Sequence, residues 1–264
     1  MSSIKLKYCV HFSIRILLGV SLLIGFLSCK EKKMENTINI AVAANMQYAL
    51  EEIVKDFTEN TGISCQIIVS SSGKHTAQIM EGAPYDIFIS ADMNYPNQLY
   101  EKGFTLTAPE VYAYGELVLW SMTEINPISL KNLTDENIRH IAVANPMTAP
   151  YGKAAMEMLS YHKLLDSIRH KLVFGESIAQ TNQFIYSKSA EIGVTSLSTI
   201  KSKKLINTGS WMIIDDISYT PIAQGVVILT KLGDNKENAI AFKNYLLSKN
   251  ANEILKEYGY FVNE

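Results

Sequence analysis

Two stretches of small polar residues stand where an apolar run gives way to a helical pattern: Asn45 in A-V-A-A-N-M (41–46) and Ser70 to Ser72 in V-S-S-S-G-K (69–74). Their hydroxyl and carboxamide groups are uncharged hydrogen-bond donors. A helix start adds unpaired backbone N–H groups and the positive end of the helix dipole, so each junction offers a seat for a small anion. The chemistry implied is recognition rather than bond making. Other reactive residue types point elsewhere. Gly73-Lys74 lacks the full G-x-x-x-x-G-K-[ST] pattern of a phosphate loop, and Lys74 is expected as a solvated residue of a first helical turn. The histidines (His11, His75, His140, His162, His170) show no paired spacing with Cys or acids, so surface or boundary positions are expected and no site for a free metal cation. Cys65 begins an apolar strand and is expected to be a buried, inert thiol.

The elements that must position these groups alternate strand and helix in two similar blocks. The first runs I-N-I-A-V-A-A, a helix over Met46 to Glu59, C-Q-I-I-V, a helix from Gly73, and D-I-F-I-S. The second runs H-I-A-V-A-N, a helix from Gly152 to Leu165, K-L-V-F-G, a helix from Ala179 to Ser187, and E-I-G-V-T-S. Continuous apolar runs suit strands buried on both faces of parallel sheets, and Leu50, Ile53, Val54 and Phe57 share one helix face. Two α/β lobes follow. Tyr114 to Ser121 and Ile222 to Thr230 are strand-like and lie between and after the blocks, as two crossover strands would. The terminal helices, Lys236 to Ser248 and Ala251 to Tyr258, are expected to return to the first lobe. The lobes are therefore 38–116 with 224–264, and 117–223.

Residues 1–29 form a leader: basic at Lys5, Lys7 and Arg15, then apolar from Ile16 to Leu27, too short for the roughly 20 residues a spanning helix needs. It ends F-L-S-C, which resembles a bacterial lipobox, so Cys29 is expected to carry lipid and 30–37 to be a tether on the periplasmic side of the cell envelope. Of 24 basic side chains three lie in the leader, against none of the 26 acidic ones, so the body is acidic and has no basic stripe for nucleic acid. With Cys9 in the leader and Cys29 lipidated, Cys65 has no disulfide partner.

Taken with G-A-P-Y-D-I-F-I-S-A-D (82–92), Asn145 to Ala155 and Gly175 to Phe184, these motifs resemble the molybdate-binding proteins of ABC transporters, the ModA family, over nearly the whole exported body. The resemblance implies a two-lobed periplasmic-binding-protein fold of type II, with two Rossmann-like lobes joined by two crossover strands, and a hinged closure on the ligand. It implies oxyanion contacts from Asn45 and Ser72, with Ala44 through its backbone and Ser71 as a weaker partner. In the second lobe it implies Tyr151, by hydroxyl or backbone N–H, beside Gly152, which permits close backbone approach, and the backbone N–H of Ile178. Some relatives carry a ligand-binding tyrosine where this chain has Ser196.

All these partners are donors, which suits a proton-free dianion such as molybdate, tungstate or sulfate, among which cavity size must discriminate. Phosphate keeps a proton near neutral pH and is better served by a carboxylate, and Asp86 and Asp92, the nearest acids, are expected to open a strand and cap a helix. The expected protein is a monomeric solute-binding lipoprotein serving an ABC permease, without cofactor or catalysis. The alternatives are a binding protein for sulfate or phosphate, an enzyme using Cys65, and a ligand-sensing domain.

Overall fold

The computed structural model describes residues 37–231 and 235–262; the leader, Cys29 and the tether up to Asn36 lie outside them. Strands β1 (Thr37–Ala43), β2 (Ser64–Ser70), β3 (Ile87–Ile89), β4 (Glu110–Gly115) and β10 (Ile222–Ile228) form one sheet in the order β2-β1-β3-β10-β4. Strands β5 (Leu117–Ser121), β6 (Ile141–Ala144), β7 (Leu172–Gly175), β8 (Ile192–Ser196) and β9 (Ser210–Ile213) form a second in the order β7-β6-β8-β5-β9. Each sheet has three parallel strands followed by an antiparallel one received from a distant part of the chain, β10 in the first and β5 in the second. This is the two-lobed type II arrangement, an α/β fold built twice.

The helices are α1 (Gln47–Thr61), α2 (Ser72–Met80), α3 (Asn94–Glu101), α4 (Pro150–Tyr161), α5 (Leu165–Ile168), α6 (Ile178–Tyr186), α7 (Leu197–Ile200), α8 (Lys236–Leu246) and α9 (Lys249–Glu257). Helix α1 buries Ala49, Leu50, Ile53 and Phe57, one face at helical spacing, and stops where Gly62 takes φ 73°. The core of the first lobe joins Ile38, Ile40 and Leu50 to Phe242, Leu246 and Leu255, so α8 and α9 do return to the sheet laid down by the N-terminal block. Among the described residues no helix is long and apolar enough to cross a membrane.

Two expectations need correction. The helix expected to reach Leu165 ends at Tyr161: Lys163 adopts φ 56°, its N–H reaches Ser160 O at 3.0 Å, and Leu164 N–H reaches Leu159 O at 2.9 Å. This is a left-handed helix stop made without glycine, so no residue type announces it. The first expected crossover strand is instead divided, with β4 ending in the first sheet at Gly115, β5 starting in the second at Leu117, and Glu116 between them. The second, β10, lies wholly in the first sheet.

Candidate functional site

The parallel strands β1, β2, β6 and β7 each run out into a helix start. After β1, Ala43 is extended and Ala44–Met46 form a 3₁₀ turn leading into α1; Ser71, Ala149 and Ser177 are the extended residues before α2, α4 and α6. None of these four starts has a side-chain cap, although Ser71 and Ser177 are residue types that commonly supply one. First-turn N–H groups have no acceptor within their own helix. These sets of donors point outward from the carboxyl ends of strands, where ligands of open α/β sheets bind.

They converge on one cavity. Ala44, Asn45, Ser71 and Ser72 line it from the first lobe and Ala149, Tyr151 and Ile178 from the second, and its volume is about 10 Å³. That is far below the roughly 300–1,000 Å³ of organic-ligand pockets. Ser72 Oγ accepts a hydrogen bond from Ala91 N–H at 3.0 Å, which occupies a lone pair and leaves its proton to donate. Ser71 Oγ is buried, with no hydrogen-bond partner among the described residues. An orphaned buried hydroxyl costs about 1–3 kcal/mol, which a ligand oxygen would recover. No ionisable acid lines the cavity. Asp92, just beyond, is held by Tyr95 N–H (3.3 Å) and Asn94 Nδ2 (3.1 Å) at the start of α3, and burial pushes its pKa up. Asp86 opens β3 and accepts from Asn39 N–H at 2.7 Å.

The lobes meet around the cavity. Gly73 N–H donates to Thr148 O at 2.9 Å, Tyr95 OH to Met147 O at 3.1 Å, and Ser198 Oγ to Asn45 O at 2.8 Å. Lys74, expected to be solvated, pairs with Glu176 across the rim at 2.7 Å. This is a surface pair between half-exposed partners, worth little in stability.

A family model described as bacterial extracellular solute-binding protein matches residues 38–261. The chain belongs to this family. The molybdate-binding protein ModA of Azotobacter vinelandii is 37% identical over 250 residues, covering 92% of this chain and 96% of that protein. ModA of Rhodobacter capsulatus is 35% identical over 221 residues, covering 83% and 86%. The solved Azotobacter vinelandii periplasmic molybdate-binding protein matches with a TM-score of 0.81 at 33% identity, over 86% of this chain and 100% of that one. Each of these relatives is named for a ligand it binds.

In this solute-binding protein one expected side-chain donor is used up internally, and a second, a hydroxyl, is held by accepting a hydrogen bond while keeping its proton to donate. Asn45 Nδ2 donates to Gln224 Oε1 at 2.8 Å and to Tyr260 OH at 3.0 Å, which uses both of its hydrogens. The donor Asn45 retains is its backbone N–H in the 3₁₀ turn. The Tyr151 hydroxyl accepts from Gln224 Nε2 at 3.2 Å, and burial first of all raises its pKa well above the usual phenol value, so it stays neutral. Gly152 allows a close approach, but of α4 to β6: a Cβ there would lie 2.1 Å from Ala144 O. Ser196 does not line the cavity; its hydroxyl meets Thr199 Oγ1 at 2.9 Å and Ser198 Oγ at 3.0 Å. Gln224, Tyr112 and Tyr260 were not singled out from sequence. A glutamine inside the apolar run I-A-Q-G-V-V-I was the available signal, since a buried amide demands partners.

Cys65 is half-buried, and desolvation pushes its thiol pKa up to about 12, so Cys65 is a thiol rather than a thiolate near neutral pH. His75 overturns the expectation of a surface or boundary position. It is fully buried in α2, its Nε2 lies 3.1 Å from Val42 O, and its ring packs against Tyr85 and Phe88. Burial is the main cause of its lowered pKa, with the Val42 carbonyl opposing. Below about pH 6.5 the unfolded chain therefore binds a proton that the native His75 refuses, and stability falls as pH falls. Urea unfolding at pH 7.5 and 5.5 should show His75→Gln losing less stability on acidification than the parent, by up to about 1.4 kcal/mol per pH unit. Equal losses would mean that His75 titrates normally.

Proposed function

We propose that this solute-binding protein captures molybdate, or tungstate, between its two lobes with uncharged donors and passes it unchanged to the permease of an ABC importer. The observation that carries this reading is the convergence of four uncapped helix starts, two from each lobe, on one small cavity with no ionisable acid in its lining. In this reading the Ser72 and Ser71 hydroxyls and the backbone N–H groups of Ala44, Asn45, Tyr151 and Ile178 surround the anion, so a dianion is met by donors without a counter-charge. A ligand that keeps a proton finds no carboxylate to accept it. Relatives 37% and 35% identical that are named for molybdate support the choice of ion. The reading extends to a monomer whose lobes are those expected from sequence, 38–116 plus 224–264 and 117–223, with the second boundary moved to 222 so that β10 stays whole, held on the periplasmic side of the envelope by lipid on Cys29 and a tether over 30–37. No catalytic step is assigned to it.

Calorimetric titration with molybdate, tungstate, sulfate and phosphate tests the proposal. Tight binding of molybdate and tungstate with much weaker sulfate and phosphate is expected; a preference for sulfate or phosphate would move the assignment to that ion. In the same assay Ser72→Ala removes a hydrogen bond to a charged oxygen and should cost about 1.5–3 kcal/mol, roughly 10- to 150-fold in affinity. Unchanged affinity would remove Ser72 from the seat.

A further inference from the structure

We propose that Gln224 is a positioning residue, a latch on β10 that grips the Tyr151 hydroxyl of the opposite lobe in a socket opened by Gly115 and so slows release of the anion. The inference rests on the anion seat above but concerns how the seat is held shut. Gln224 is fully buried, and the β4–β10 pairing is irregular beside it: Gln224 faces Ala113 and Gly225 faces Val111, so Tyr112 is an extra residue on β4. Such a bulge re-aims side chains. Here the Tyr112 hydroxyl donates to Gln224 Oε1 at 2.8 Å, and Asn45 Nδ2 donates to the same oxygen at 2.8 Å. With Oε1 accepting from both, Nε2 faces Tyr151 OH at 3.2 Å. One side chain thus orders a cavity residue of each lobe, Asn45 directly and Tyr151 by its far end.

The socket depends on a missing side chain. A Cβ on Gly115 would lie 1.9 Å from the Tyr151 hydroxyl oxygen and 2.5 Å from Gln224 Nε2. Gly115 is the last residue of β4 before the chain crosses to the second lobe, and its φ is not positive, so alanine is compatible with its backbone. Its lack of a Cβ therefore serves the seated Tyr151 rather than local chain geometry. When the lobes part, Tyr151 leaves with α4 and the other members of the cluster stay with the first lobe.

Two variants of the full chain, Tyr151→Phe and Gly115→Ala, test the latch by two readouts. Gly73 N–H is bonded to Thr148 O across the lobes, so its hydrogen exchange in the ligand-free protein reports opening, whereas β1 amides report global stability. Both variants should exchange Gly73 faster, by about fivefold or more, with β1 protection unchanged. Stopped-flow fluorescence should show molybdate released faster by a similar factor, with association little altered. Unchanged Gly73 exchange in both variants overturns the latch, and so does equal acceleration in β1, which would mark the residues as merely structural. If the parent protein binds no molybdate but Gly73 exchange still responds, the latch stands and the ion assignment falls.

Discussion

Ser71→Asp is expected to abolish oxyanion binding while leaving α2 at least as stable as in the parent. Ser71 is extended, with φ −79° and ψ 154°, and immediately precedes Ser72 at the head of the helix. Aspartate is as good a capping residue as serine, and its charge is favourable at a helix N-terminus. The position also lines the anion cavity, with a hydroxyl that is buried and has no partner among the described residues. A carboxylate there becomes an internal occupant of the seat and sets like charge beside an incoming dianion, a juxtaposition that costs several kcal/mol. Calorimetry should lose more than about 3 kcal/mol of binding, over 100-fold, while the thermal unfolding temperature holds or rises. A capping serine with no ligand role would keep its affinity within tenfold.

Gly152→Ala should damage both folding and binding. The added methyl would sit 2.1 Å from Ala144 O, 2.7 Å from Ala144 C and 2.9 Å from Asn145 C. These are backbone atoms at the end of β6, so they cannot swing aside as a side chain can. Helix α4 must move off the sheet, at a cost of about 1–3 kcal/mol of stability measured by urea unfolding. The shift carries Tyr151 with it, so one of the second lobe's two backbone donors leaves its place, and affinity for molybdate should drop at least about tenfold. A variant as stable as the parent would show that α4 has slack against β6.

Much of this seat is legible in the sequence. Ser71, Ser72, Ala44, Asn45, Tyr151 and Ile178 all line one cavity, because strand-to-helix junctions are marked by local residue types and strand ends in a parallel sheet lie side by side. The paired βαβ blocks were legible for the same reason: buried parallel strands read as continuous apolar runs. What escaped was settled by distant partners. Asn45 looks like a free donor until Gln224 and Tyr260, 179 and 215 residues away, are seen to take both its hydrogens. His75 carries no local sign that Val42 O and two aromatic rings will enclose it. Gly152 is legible as a point of close backbone approach, but that the neighbour it admits is the Ala144 carbonyl is not. The stop at Lys163 was invisible because a lysine occupies a conformation usually given to glycine.

The proposed seat holds one oxyanion at the meeting point of the four helix starts, gripped from both lobes. A crystal grown with molybdate and measured at the molybdenum absorption edge would locate the ion. A single anomalous peak is expected in the cavity, within hydrogen-bond reach of Ser71 and Ser72 on one side and the backbone N–H groups of Tyr151 and Ile178 on the other. A peak elsewhere, or contacts from one lobe alone, would contradict this seat.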